Sequence, residues 1–374
     1  MTDPTKRSGA YSLKTIRTTR RTDRPQRSAR PRQLNSGLNA AIHIPPFANK
    51  TPPPSSLHLE CNEQFSLPVL RPVADFQHWR VLLVAPLEEA LQRAEQLVAE
   101  QLRMLVKEVV PVKAHAGYPH MLSRWSPDML LVLGCPDALT EEENRSLQAS
   151  SAKKAVWLPE GAAAATAAQR QTLEMFDFQF TPPGVRCPGV PFYSRQRIVP
   201  LPYAADTELF RPRNADADCR CDWLVLDEAC LLAGAEASIL AQLLDGRNVA
   251  AWGNGWEAFP SVRIVGSEQE LKEYYHGADI VIHGPNASYR RMFEAAACGA
   301  VQLASADPQL KRWFAPGDDL LEYANLAELA ETACRCHADP ELRRRLASRA
   351  LWRSKYDNSF FHRVMELLLA VAQA

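Results

Sequence analysis

Residues Asn286–Ser305 read NASYRRMFEAAACGAVQLAS. The order is a small polar residue, a basic pair, a glutamate, a run of alanines, a glycine and then a short apolar stretch. Ser288 is a suitable N-cap and Gly299 a suitable C-terminal stop, so the spacing predicts a helix from Tyr289 to Cys298 followed by a strand. The polar residues crowd the first turns and the small ones fill the body. The amino end of this helix therefore faces something polar, while its body packs closely against the rest of the fold.

The same alternation extends outward. Upstream, ADIVIHG reads as a buried strand, SEQELKEYYHG as a helix, and VRIVG, NVAAW and DWLVLD as further strands, with AEASILAQLL as a helix between them. Nearer the start, WRVLLVAP, VKEVVPV, DMLLVLG, KAVWLP and FDFQF are short apolar runs. They alternate with the helix-like LEEALQRAEQLVAEQLRML, TEEENRSLQASS and AAAATAAQRQTLEMF. Apolar runs separated by helical periodicity are the pattern of parallel sheets covered on both faces by helices. The Pro-rich, polar stretch QRIVPLPYAADTELFRPRNADADCRC reads as a connection between two such series. Three helical stretches follow the second series, the last of them, SFFHRVMELLLAVAQA, being strongly apolar on one face.

The 374 residues suffice for two domains. The expected fold class is α/β, with two doubly wound Rossmann-like domains in tandem and a cleft between them. The expected boundaries are a tail at 1–60, a first domain at 61–205, a second at 206–356 and a final helix at 357–374 that crosses back to the first domain. The 43 basic and 43 acidic side chains cancel, which argues against a nucleic-acid protein with a dominant cationic surface. Residues 1–50 nonetheless hold 11 Lys or Arg against only Asp3 and Asp23. With its prolines and no apolar period, the segment 1–60 is expected to be a disordered basic tail. No apolar run reaches the roughly 18 residues of a membrane span. The nine cysteines are expected as free thiols in a cytoplasmic protein. The repeated CRC, at Cys219–Cys221 and Cys334–Cys336, does not have the usual spacing of a zinc site, and no metal is expected.

In open α/β folds ligands sit beyond the carboxyl ends of the strands, at helix amino ends with unpaired amides. HGPNASYR, residues 283–290, occupies such a place. Gly284 permits close backbone approach, the amides around Asn286, Ser288 and Tyr289 suit a phosphate, and Arg290 and Arg291 add positive charge. The two arginines point to different parts of the helix surface, so at most one reaches a ligand. Glu294 is spaced to accept hydrogen bonds from a pair of ribose hydroxyls, although on spacing alone it also reads as a solvated helix residue. His283 is a candidate ligand-facing residue and equally a structural one, and Cys298 among its alanines reads as a buried filler. In the first domain Glu88, Glu89, His115 and His120 could reach the cleft, and no local pattern selects a catalytic base among them.

The run VRIVGSEQELKEYYHGADIVIHGPNASYRRMFEAAACG, residues 262–299, resembles the donor-binding half of a GT-B glycosyltransferase. R-x-F-E-A-x-A-C-G at Arg291–Gly299 is most similar to the spore-maturation (CgeB-type) glycosyltransferase group. VPLPYAADTELFRP, residues 199–212, resembles the segment between the two domains, and 314–347 follows the family's order of strand, helix and ADPE turn. The resemblance implies a nucleotide diphosphate-sugar as donor substrate, no permanently bound cofactor, and transfer of the sugar to an unidentified acceptor in spore or cell-envelope maturation. It implies that Glu294 holds the ribose and Arg291 the diphosphate, and that the backbone at Val265, Gly266 and Ser267 meets the base. Gly253 and Gly255 of GNGW would line the cleft beside it. Two positions differ from many retaining members: Asn286 stands where a carboxylate lies eight residues before the ribose glutamate, and no Lys or Arg occurs from Asp222 to Ser238. A catalytically inactive binding or structural component of a spore or envelope layer therefore stands as a second reading.

Overall fold

The computed structural model describes residues 76–85, 89–113, 117–160, 166–183, 196–229 and 236–373, all within one compact unit. The basic segment 1–60, Glu88 and His115 lie outside them, and the described part of Glu89 is its backbone alone. Two six-stranded sheets, every strand pair parallel, organise these residues. The first contains β1 (Arg80–Ala85), β2 (Glu108–Lys113), β3 (Met129–Leu133), β4 (Lys153–Trp157), β5 (Phe178–Thr181) and β6 (Arg197–Pro200), in the order β2-β1-β3-β4-β5-β6. Its helices are α1 (Glu89–Leu105), α2 (Tyr118–Trp125), α3 (Glu141–Ala149) and α4 (Ala167–Leu173).

The second sheet contains β7 (Cys221–Leu226), β8 (Val249–Trp252), β9 (Val262–Ile264), β10 (Ala278–His283), β11 (Gln302–Ser305) and β12 (Leu321–Tyr323). Its helices are α5 (Ala237–Leu244), α6 (Glu268–Gly277) and α7 (Tyr289–Cys298), with α8 (Leu326–Ala338), α9 (Pro340–Tyr356) and α10 (Phe360–Ala372) after the last strand. The order β12-β11-β10-β7-β8-β9 reverses direction between β7 and β10. Loops leaving those two neighbours diverge to opposite sides and open a crevice at the strands' carboxyl ends.

The local chemistry accounts for these elements. A strand covered on both faces needs apolar side chains throughout, and Met129–Leu133 is buried at every position. Thr140 and Glu143 form a reciprocal capping box at the head of α3, satisfying two amides that the helix itself cannot pair. Ser288 caps α7 by accepting from the Arg291 amide, and Gly299 ends the helix at φ 77°, where a glycine has no side chain to strain. The stretch RIVP, part of the expected connection, is a sixth strand. Its first two residues are exposed and its last two half-buried, because it lies at the sheet edge, where a proline and an arginine are tolerated.

Helix α10 comes after the second sheet in the chain but packs in the first. Phe360, Val364, Leu367, Leu368 and Val371 share one core with Val81, Leu83, Val98 and Leu102. Each such side chain contributes roughly 1.5–3 kcal/mol on full burial, so the helix is held by its apolar stripe. Lys153 Nζ also donates to the Val371 carbonyl at 2.8 Å. The preceding helix, α9, packs against α7. The CRC cysteines have separate environments: Cys336 is buried and Cys334 exposed on α8, while Cys221 begins β7. Among the described residues no group of three or more His, Cys, Asp or Glu could hold a metal ion, and no helix is long and apolar enough to cross a membrane.

Candidate functional site

The crevice in the second sheet is built around Asp227, the residue that follows β7. Its carboxylate accepts from the Glu228 amide at 2.7 Å and from the Asn286 amide at 3.2 Å. Its carbonyl accepts from the Trp256 indole at 2.8 Å. Two glycines make room for it. A Cβ at Gly284 would lie 2.1 Å from Asp227 Oδ2, and one at Gly253 would lie 2.2 Å from the Asp227 carbonyl. Burial raises the Asp227 pKa, and the neighbouring Glu228 charge raises it further against the pull of the two amides. Asp227 thus ties the β10–α7 loop to the β7 end. Gly255, at φ 83°, turns the chain so that Trp256 is fully buried beneath it.

The head of α7 holds an anion supplied by the chain itself. Ser288 Oγ accepts from the Arg291 amide at 3.2 Å and donates to the carboxylate of Glu160, three residues beyond β4 of the first sheet. The other Glu160 oxygen accepts from the Arg290 amide at 3.0 Å. Burial pushes the Glu160 pKa up, and the two hydrogen bonds and the Arg290 charge oppose it. Amides at a helix amino end carry a partial positive charge suited to this role.

One turn further on, the charged side chains neutralise one another. The Arg291 guanidinium donates to Glu268 Oε2 at 2.7 Å and Glu294 Oε2 at 3.1 Å, with a second contact to Glu268. It lies 5.3 Å from the centre of the Trp252 ring. Arg290 reaches Glu268 at 3.1 Å and Glu294 at 3.5 Å. The Tyr275 hydroxyl donates to Glu294 at 3.4 Å. Glu294 is 4% exposed, and burial raises its pKa although both arginines pull it down. Two cations and two anions close this cluster.

The residues singled out from the sequence therefore fall into three places. Gly253, Gly284, Asn286 and Ser288 converge on Asp227 and Glu160. Arg291 binds both Glu294 and Glu268, and Glu268 thereby joins the loop at Val265–Ser267 to α7. Around that loop Val265 is buried and its amide bonds to the Ala251 carbonyl at 2.9 Å. The Gly266 amide bonds to Glu270 at 2.8 Å, and Ser267 caps α6 through the Glu270 amide at 3.1 Å. His283 and Tyr289 face inward. His283 is fully buried, with Nε2 2.7 Å from Gln302 Oε1, and burial lowers its pKa to about 4. Tyr289 donates to Asp307 at 2.7 Å and stands edge-on to Trp313. In the first domain His120 is exposed on α2.

Sequence reasoning missed Asp227, Glu160, Glu268 and Trp252. Asp227 had a readable signal, a carboxylate closing the apolar run WLVL, whereas Glu160 had only the strand end before it.

Residues 236–369 match the family described as glycosyl transferase-like. The solved glycosyltransferase from Rickettsia africae is similar in structure, with TM-score 0.54 and 12% identity over 80% of this chain and 99% of that one. Sucrose-phosphate synthase from Thermosynechococcus elongatus is also similar, with TM-score 0.50 and 14% identity over 79% and 98%. No curated protein matches the sequence. The fold is that of the GT-B glycosyltransferases, two parallel-sheet domains in tandem.

Proposed function

We propose that the chain is a glycosyltransferase that takes a sugar from a nucleotide diphosphate-sugar seated in the second-sheet crevice. The observation that carries this reading is the carboxylate held at the head of α7 by Ser288 Oγ and the Arg290 amide. The same donors suit a diphosphate oxygen. The family match over 236–369 supports a transfer reaction. With the diphosphate there, the loop at Val265–Ser267 is on the side for the base and Glu294 for the ribose. For Glu294 to take two ribose hydroxyls, its contacts to Arg290 and Tyr275, 3.5 and 3.4 Å long, would have to give way. The Arg291 bond would then orient the carboxylate.

As the glycosidic bond breaks, negative charge grows on the leaving diphosphate. Fixed amides and a hydroxyl already aimed at that point stabilise it without reorganisation. Both arginines contact Glu268 and Glu294, but Arg290 is 40% exposed at its side chain against 10% for Arg291, so it is the cation freer to turn toward the diphosphate. The acceptor enters from the first domain. The likeness of 291–299 to the spore-maturation group directs the search toward a spore or envelope glycan.

The test is a binding and hydrolysis screen against a panel of nucleotide-sugars, by calorimetry and by released nucleotide. At least one donor should bind and turn over, and Ser288→Ala should weaken it. Failure of every donor to bind refutes the reading. The lack of any Lys or Arg from Asp222 to Ser238 favours the second reading, a donor-binding envelope component, which binding without turnover would assign.

A further inference from the structure

We propose that Glu160 is a resident occupant of the donor site, an internal anion that a diphosphate must displace and that sets which anions the site accepts. This rests on the reading of α7 as the diphosphate-binding helix and names the residue that governs its affinity.

The carboxylate is not needed to cap the helix. Ser288 already satisfies the Arg291 amide as an ordinary N-cap. Glu160 adds a second acceptor from 130 residues earlier in the chain, on the opposite sheet domain. It takes the Arg290 amide and the Ser288 hydroxyl proton, two donors at the helix head.

The contact is also poorly neutralised. No cationic side chain within hydrogen-bond reach of Glu160 is found among the described residues. The Arg290 guanidinium is instead directed to Glu268 and Glu294; its charge still favours the Glu160 anion from a distance, and the Glu294 carboxylate works against it. Burying a carboxylate without an ion-pair partner costs much of what its hydrogen bonds return. The arrangement is therefore occupied but weakly held. A diphosphate brings more charge and more acceptor oxygens to the same donors, so it can displace a single carboxylate. A monoanion brings no such advantage and is held off. Because Glu160 belongs to the first domain and Ser288 to the second, displacement also releases a contact across the cleft.

The test compares wild type with Glu160→Gln and Glu160→Ala, titrated by calorimetry with inorganic pyrophosphate, a panel of nucleoside diphosphates, and acetate as a monoanion. Both variants should bind pyrophosphate and the preferred nucleoside diphosphate at least tenfold more tightly than wild type. Glu160→Ala should bind acetate where wild type does not. Hydrogen exchange gives a second readout that needs no donor. The Arg290 amide should be protected in wild type, exposed in Glu160→Ala, and protected again when pyrophosphate is added. Diphosphate affinity that is equal or weaker in the variants overturns the role of Glu160 while leaving the donor site intact. If no variant binds any diphosphate and pyrophosphate restores no protection, the donor-site reading fails with it.

Discussion

Acidifying the protein should strip stability from the second domain through His283, by an amount that follows from its surroundings. His283 is fully buried, its Nε2 donating to Gln302 at 2.7 Å. Its Nδ1 has no hydrogen-bond partner, so protonation would place a bare N–H and a charge in the core. Burial accordingly lowers its pKa to about 4, against roughly 6.5 for an unfolded histidine. The unfolded chain therefore takes up a proton between those values before the folded protein does. The stabilisation is complete above about pH 6.5 and is lost progressively as the pH falls toward 4. At pH 4.5 the loss from this one group is about 2.5 kcal/mol, at roughly 1.4 kcal/mol per pKa unit. Urea unfolding at pH 7.5 and 4.5, followed by intrinsic tryptophan fluorescence, to which Trp223 in the same core as Ile280 and Ile282 contributes, measures it. His283→Gln removes the titration, so its stability should fall by about 2.5 kcal/mol less than that of wild type over this interval. Equal losses in the two proteins would refute the account, as would a measured His283 pKa near 6.5 by nuclear magnetic resonance.

Two further outcomes follow from close contacts elsewhere. Gly284→Ala would drive a methyl group into the Asp227 carboxylate, 2.1 Å from Oδ2, and break its bond to the Asn286 amide. A loss of about 1–3 kcal/mol is expected from the overpacking, with weaker donor binding, and an unchanged melting temperature would contradict the geometry. The Arg93–Asp206 pair at 2.6 Å fastens α1 to the segment joining the sheets. Burial opposes the Asp206 charge, but the bonds from Arg93, Glu208 and Leu209 outweigh it and lower its pKa. Its contribution is present above an unfolded value of about 4 and lost as the pH falls through the lower folded value. A double-mutant cycle of Arg93→Ala and Asp206→Asn at pH 7 should give a coupling of about 1 kcal/mol, whereas additive effects would show the pair to be inert.

The elements that could be read in advance are those whose information is local. Met129–Leu133 is apolar throughout because helices cover both faces, and Ser288 and Gly299 mark the ends of α7 with its ten residues between them. Arg197–Pro200 was read as a connection because an edge strand carries no such run. In the site the limit was pairing. Arg291 and Glu294 stand three residues apart on one helix, a spacing that suits an ion pair as well as two separate ligand contacts. The choice between them depended on Glu268, on another helix. Glu160 reaches the α7 head from the other sheet, and no periodicity or local motif reports a contact of that range.

The placement of α10 has a consequence for how the protein is made. The first sheet and its four helices are synthesised before the second sheet, yet Phe360, Val364 and Leu367, part of their shared core, are translated only after β12. Until then, the nascent first domain presents an uncovered apolar face beside Val81, Leu83 and Val98. Domains that form early in synthesis usually close as units, but here the half made first is completed by a helix made after the second sheet. The waiting intermediate is the species most exposed to aggregation during synthesis.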